Sequence, residues 1–335
     1  MNAPGDSEFS FELAVCQWAE RHWPPDGPAS EDAAFVVARQ LGTRGRRWDT
    51  IVVESTRELL RQRALFGPDA LSWNVLDVVQ HAPADWAWYQ DALPDPGYPW
   101  RYVREAIHEA AASGVLQTRR NGNKIEIRQI APYPDWVSRI VAVENKPDLD
   151  ASAARALRGQ LEKDTNLALA DEVWVATERT GAQIEPALLE RMPVEVGILT
   201  VEFPAASVEW YPTSLSVDEP GTTPGGDELG PEKKAKKRLA LAERAYARGW
   251  RSYADTMRPD CRHFTLKREA ETWLPWCEAK QKFPTRAECS GSCPKFSPEP
   301  PAWRTRGWPI EGGPGKAIKR FLDRKRREQR PGLVD

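Results

Sequence analysis

Apolar positions recur at a helical spacing near the start of the chain. Between Glu8 and Trp23, Phe11, Val15 and Trp18 fall on one stripe at i, i+4 and i+7. A loop rich in Pro, Gly and Asp follows at 24–30, and residues 31–41 are expected to be helical again. The basic turn Arg44-Gly-Arg-Arg47 leads into Trp48-Asp-Thr-Ile-Val-Val-Glu54, whose β-branched content predicts a strand.

From 69 to 130 the pattern has its own logic. Leu71 to Gln80 predicts a short amphipathic helix, and Ala84 to Leu93 a second, Trp-rich one. Pro99 opens a third, in the favoured first turn, which runs to Ala112 and stops at Ser113-Gly114. Two alternating runs between Val115 and Arg128 then flank Asn121-Gly122, the strongest short hairpin signal. Three helices followed by a hairpin with a basic tip resemble a winged helix-turn-helix.

Beyond the turn at Pro132 to Asp135, Arg139 to Glu144 reads as a short buried strand, 150–168 as a helix and Asp171 to Thr177 as another strand. Val194 to Val201 and Ser207 to Tyr211 add two more. Strand–helix–strand order predicts an α/β layered sheet. A Pro/Gly/acidic stretch at 218–230 reads as a linker, and Pro231 to Trp250 as a basic helix of good helix formers. The expected organisation is a core in two parts, 8–66 and 131–217, separated by an inserted module at 67–130. The linker at 218–230, a basic helix with a cysteine cluster at 231–300 and a basic tail at 301–335 follow.

Composition narrows the class. With 41% apolar and 29% charged residues the chain reads as a soluble globular protein. The formal net charge of −2 gives no whole-chain attraction to nucleic acid, yet basic residues cluster at 231–251 and 316–330. There is no apolar run long enough to span a bilayer and no leader-like start, so a cytoplasmic protein with no membrane partner is expected. In that compartment thiols stay reduced, and a group of cysteines reads as metal-binding before disulfide-bonded.

The chemistry centres on Glu144-Asn-Lys146 at the end of an apolar strand. Residues two apart on a strand face the same way, so Glu144 and Lys146 project together. Hydrolysis of a phosphodiester needs carboxylates to hold a hard divalent cation and a positive group to steady the nucleophile or the developing charge. Asp49, on the strand Trp48 to Glu54, is the candidate second carboxylate. Pro134-Asp135 offers a literal Pro-Asp pair but sits in a turn.

The order Glu12 on a helix, Asp49 on a strand, Glu144 and Lys146 on a strand, then Gln160 on a helix before another strand resembles the RecB-like branch of the PD-(D/E)XK nucleases. The chain also resembles an uncharacterised, mostly haloarchaeal family placed in that superfamily. The resemblance covers 8–56 and 131–212. It implies a restriction-endonuclease-like mixed sheet flanked by helices, with the winged-helix module inserted and a cysteine-rich segment after it. It further implies Asp49 and Glu144 as Mg²⁺ (or Mn²⁺) ligands, Lys146 as the catalytic lysine, and Glu12 and Gln160 beside the site. The activity it implies is metal-dependent cleavage of DNA in repair, restriction or defence. A catalytically inactive DNA-binding or regulatory protein on the same scaffold is the alternative.

Other residues fit a DNA partner. Arg101, Tyr102 and Arg104 open the third helix of the insert, and Arg119, Arg120, Asn121, Asn123 and Lys124 surround its hairpin tip, where phosphate contacts are expected. The runs Lys233 to Arg238 and Lys319 to Arg327 suit a phosphate backbone. Cys261, Cys277, Cys289 and Cys293 are candidate ligands for a structural Zn²⁺ or an iron–sulfur cluster, with His263 as a spare. Some RecB-like nucleases, including the CRISPR-associated exonucleases, join one N-terminal cysteine to three C-terminal ones around a [4Fe–4S] cluster. By that resemblance Cys16 is an alternative ligand.

Overall fold

The computed structural model describes residues 4–43, 45–178, 192–203, 205–250, 261, 263–269, 272–285, 288–289 and 293–297. The chain forms two compact units. One is Ala14–Trp250; the other joins Met1–Leu13 to Arg251–Asp335.

The larger unit is built on a mixed six-stranded sheet. Its strands are β1 (Ala33–Thr43), β2 (Arg46–Thr56), β6 (Arg139–Asn145), β7 (Glu172–Glu178), β8 (Gly197–Glu202) and β9 (Ala205–Trp210), in that spatial order. β1, β2 and β6 pair antiparallel, β6, β7 and β8 pair parallel, and β9 returns antiparallel. The central strands β6 and β7 are buried on both faces, which explains their near-continuous apolar sequences.

Helices cover both faces. On one, Cys16 of α1 (Pro4–His22) meets Thr50 of β2, and Trp23 packs edge-on against Trp174 of β7. On the other, α6 (Ala151–Leu167) buries Ala154, Leu157 and Leu161 against Val173, Val175 and Ile198. The Asp150 carboxylate caps α6 by accepting the Ala153 N–H at 2.7 Å. Beside it α7 (Pro231–Arg248) buries Leu241, Ala242 and Ala245 against Ala38, Ile51 and Ile140. The observed class is therefore α/β, a mixed sheet flanked by helices.

Between β2 and β6 the chain leaves the sheet. It passes α2 (Arg57–Ala64) and makes α3 (Trp73–His81), β3 (Ala87–Trp88), the one-turn α4 (Tyr89–Ala92), α5 (Trp100–Ala112) and the hairpin β4 (Leu116–Asn121) and β5 (Lys124–Gln129). The three strands form a separate sheet, ordered β3-β5-β4. Val75, Val79, Val103, Ile107, Leu116 and Ile127 give this insert its own core.

Several elements differ from the sequence reading. Residues 31–41 form strand β1, not a helix, because Phe35 to Leu41 pairs along β2 and buries Val37, Ala38 and Leu41. The Trp-rich stretch 84–93 holds only the one-turn α4, because Ala87 and Trp88 pair with β5 instead. The hairpin turns at Gly122-Asn123, since Asn121 is already paired with Lys124; Gly122 takes the left-handed φ of 61°. The stretch 218–230 is packed. It forms the small hairpin β10 (Gly221–Thr222) and β11 (Glu228–Leu229), with Leu229 in the main core. A Cβ at Gly221 would lie 2.4 Å from the Leu167 carbonyl oxygen, so only glycine fits there. α7 joins the sheet of the larger unit, whereas its charge pattern had grouped it with the cysteines.

The smaller unit's described residues include the hairpin β12 (Phe264–Glu269) and β13 (Thr272–Cys277), with Leu274 and Phe283 buried. The basic tail at 301–335 lies outside the described residues. No helix among the described residues is long and apolar enough to cross a membrane.

One fully buried ion pair ties the insert's base to the sheet. Arg63 of α2 grips Glu243 of α7 through two bonds, at 2.5 and 2.6 Å, and also donates to the Gly67 and Asp69 carbonyls. Glu243 in addition accepts the Leu71 N–H and the Tyr133 hydroxyl. Both side chains are 0% exposed. Removing one partner strands a buried charge, so Arg63→Met is expected to destabilise by about 3–5 kcal/mol in urea unfolding. Arg63→Met combined with Glu243→Leu is expected to recover only the part due to the stranded charge, since the Leu71 N–H and Tyr133 hydroxyl lose their acceptor. A loss below about 1 kcal/mol in the single variant would show that water reaches this pair.

Candidate functional site

The register of the sheet builds the site. Thr50 pairs with Val143 across β2 and β6, so the next residues outward, Asp49 and Glu144, stand opposite each other. On the other side of β2, Arg39 pairs with Thr50 and Leu41 with Trp48, which sets Gln40 opposite Asp49. Gln40, Asp49 and Glu144 therefore form one row across three strands. Directly opposed Cβ atoms lie about 4.5–5.5 Å apart. Asp49 is held at both oxygens: Oδ1 accepts from Gln40 Nε2 at 3.0 Å, and Oδ2 from the Asn145 backbone N–H at 3.1 Å. Gln40 sits at φ 52°, a rare conformation for a non-glycine residue and one that concentrates at functional sites.

Arg46 and α6 close the other side. The Arg46 guanidinium makes a two-bonded pair with Asp164, each bond 2.6 Å, and donates to Glu144 Oε2 at 3.0 Å. Gln160, one turn before Asp164 on α6, also acts on Glu144 to favour its charged form. The tight β1–β2 turn places Arg46 here. A Cβ on Gly42 would lie 2.0 Å from the Arg46 carbonyl oxygen, so the strands can approach only at a glycine.

The electrostatics are unusual for carboxylates. Glu144 is raised to about 7, first by burial and then by the Asp49 charge, while Arg46 and Gln160 pull it back. Asp164 is also raised by burial, against the pull of Arg46. Burial lowers Arg46, but the Asp164 and Glu144 carboxylates outweigh it and leave it above its ordinary value. Two acidic side chains thus converge where their own repulsion is only partly offset.

Lys146 follows β6, with its N–H donated to the Ala176 carbonyl at 2.8 Å, and strand alternation sets it on the Glu144 side. Of the residues singled out from sequence, Asp49, Glu144 and Gln160 meet, and Lys146 lies on their side. Glu12 is buried on α1 and belongs to the smaller unit. Asp135 is exposed in the irregular segment 132–138 before β6, where no turn forms. Cys16 is fully buried, its Sγ 3.2 Å from Thr50 Oγ1. Arg46, Asp164 and Gln40 were missed. The basic turn 44–47 and the one-turn spacing of Gln160 and Asp164 were the available signals.

In the insert, Arg101, Tyr102 and Arg104 are exposed on α5, and Arg120 and Lys124 at the hairpin. Arg119 is held by Glu126 at 2.6 Å and stacks over Trp86; Lys124 lies over Trp88. Within the run Lys233 to Arg238, Lys233 and Lys237 are exposed, whereas Lys234 and Arg238 are engaged in the fold. Lys234 is buried, with Nζ 2.8 Å from the Ser216 and Glu219 carbonyls. Lys236 pairs with Glu232, and Arg238 with Asp171. Lys319 to Arg327 lies outside the described residues.

Cys261, Cys277, Cys289 and Cys293, with His263, line one small cavity, and none is in a disulfide. Among the described residues no three His, Cys, Asp or Glu side chains already stand in a ligating arrangement.

The site's own repulsion is testable. Glu144→Gln keeps an acceptor for Arg46 and gains an N–H for Asp49. With chelator at neutral pH it is expected to stabilise by about 1 kcal/mol, raising the melting temperature by roughly 2–4 °C. A fall of several degrees would make Glu144 simply the structural partner of Arg46.

Comparison with curated proteins and with solved structures gave no match. The family comparison did: residues 36–298 match the model described as "Family of unknown function (DUF5787)". That span takes in the sheet, the insert, Asp49, Glu144, Lys146 and all four C-terminal cysteines. The chain belongs to the DUF5787 family.

Proposed function

We propose that this protein is a metal-dependent DNA nuclease of the PD-(D/E)XK kind. The observation that carries the reading is Asp49 directly opposite Glu144 on adjacent strands, with Lys146 two residues further along. Opposed carboxylate oxygens are the donor set of a hard divalent cation, so Asp49 and Glu144 fit Mg²⁺ or Mn²⁺ as ligands. When bound, such an ion supplies positive charge that acidifies a water and stabilises the phosphorane.

The chain's own residues do the rest. Gln40 and the Asn145 N–H fix Asp49; Arg46 and Gln160 fix Glu144. Lys146 offers an ammonium to orient the nucleophilic water and to offset charge on the phosphate oxygens. Hydrolysis adds one water across one P–O bond.

The insert supplies a docking element in this reading. α3, α5 and the β4–β5 hairpin have the make-up of a winged helix, with exposed Arg101 and Arg104 on the helix and Arg120 and Lys124 on the wing. Arg119, paired with Glu126, contributes less than its position in the sequence suggests.

One observation favours a second reading, an inactive DNA-binding protein on the same scaffold. Arg46 already neutralises one oxygen of Glu144. Cleavage assays separate the two. Wild-type protein with Mg²⁺ or Mn²⁺ is expected to cut linear or single-stranded DNA, and Asp49→Ala, Glu144→Ala and Lys146→Ala to lose about 100- to 1,000-fold. Equal cutting by wild type and variants would remove these residues from the mechanism. Salt-sensitive binding without cutting would leave the second reading. In binding titrations, Arg120→Ala with Lys124→Ala is expected to flatten the log affinity against log salt slope by about 2. An unchanged slope would exclude the wing from the DNA contact.

A further inference from the structure

The geometry points to a structural zinc site in the smaller unit, formed by Cys261, Cys277, Cys289 and Cys293. These cysteines are separated by 15, 11 and 3 intervening residues, and all four line one cavity. Three of them share a backbone setting. The carbonyls of Cys261, Cys277 and Cys293 each accept the N–H three residues on, from Phe264 at 3.0 Å, Lys280 at 3.2 Å and Phe296 at 3.0 Å. A cysteine that opens a tight turn has successive backbone N–H groups following it, a geometry suited to a nearby thiolate. The fourth, Cys289, donates its own N–H to the Thr285 carbonyl at 3.0 Å in a turn that Glu288 braces.

Cavity size selects the occupant. Its volume of about 20 Å³ is that of a single water-sized sphere. One tetrahedral ion fits that scale. Four thiolates are a closed zinc set with no position left open for substrate, the mark of a structural site. Phe264, Trp276 and Phe296 on the wall would keep water out. A Zn(Cys)₄ centre carries a charge of −2, and two ammonium groups line the same cavity. Lys280 is anchored by the Glu288 carbonyl and Lys295 by the Ala279 carbonyl. The sulfurs do not already stand in a ligating arrangement. Binding would have to bring them together, with one proton released from each thiol.

Among the side chains described from 261 onward, Leu274 and Phe283 are buried. None of the four cysteines is in a disulfide. The site is independent of the nuclease reading.

Full-length protein, purified without chelator, tests this by elemental analysis. One zinc per chain is expected. A mercurial that modifies the thiols should release it, and exchange for Co²⁺ should give the visible bands of a tetrahedral thiolate site. Cys277→Ala with Cys289→Ala should abolish zinc retention, while His263→Ala keeps it. Should the double variant fold poorly, Co²⁺ titration of Cys289→Ser reads the loss of one sulfur ligand directly. Absence of metal, zinc retained in the double variant, or iron with acid-labile sulfide would each overturn the assignment. These readouts do not require cleavage of DNA, so their failure is distinct from failure of the nuclease reading.

Discussion

The antiparallel register of β2 on β6 is the constraint on which the site depends. A one-residue slip would turn Asp49 to the α1 face and leave Glu144 opposite an apolar or hydroxyl side chain. Burial of both faces holds the register. Val52, Val141 and Val143 are covered on one side, and Ile51, Ile140 and Ala142 on the other, all at 1% exposure or less. The apolar sheet thus forces two carboxylates together that would otherwise separate. Burial first, and the Asp49 charge second, raise Glu144 there.

Around this row the polar contacts are arranged in a chain. Asp164 fixes Arg46, Arg46 and Gln160 fix Glu144, and Gln40 fixes Asp49. The supporting residues come from three local structures: the start of β2, the crossover helix α6 and the edge strand β1. The insert leaves this arrangement intact because it exits after β2 and returns before β6. Its junction is secured by the Arg63–Glu243 pair, which joins residues 180 apart in sequence.

Much of this was legible in the sequence for a local reason. Strands β2 and β6 carry their apolar pattern within a few residues, so Asp49, Glu144 and Lys146 could be set on strand ends, and Gln160 on the helix after them. What was hidden is non-local. Arg46 and Asp164 are 118 residues apart, and no periodicity reports their pairing. β1 was misread because its alanines favour a helix in isolation, while pairing with β2 decides its structure. The run Lys233 to Arg238 suits a phosphate backbone by its sequence, though packing against the 216–219 loop buries Lys234. The cysteines were legible as a group from their types alone; the shared cavity that relates them is a tertiary fact.

The central claim is that Asp49 and Glu144 share one cation. Anomalous diffraction from crystals grown with Mn²⁺ tests it most directly. One strong peak is expected within about 2.0–2.6 Å of a carboxylate oxygen from each residue. A peak elsewhere, or none while Arg46 remains bonded to Glu144, would contradict it.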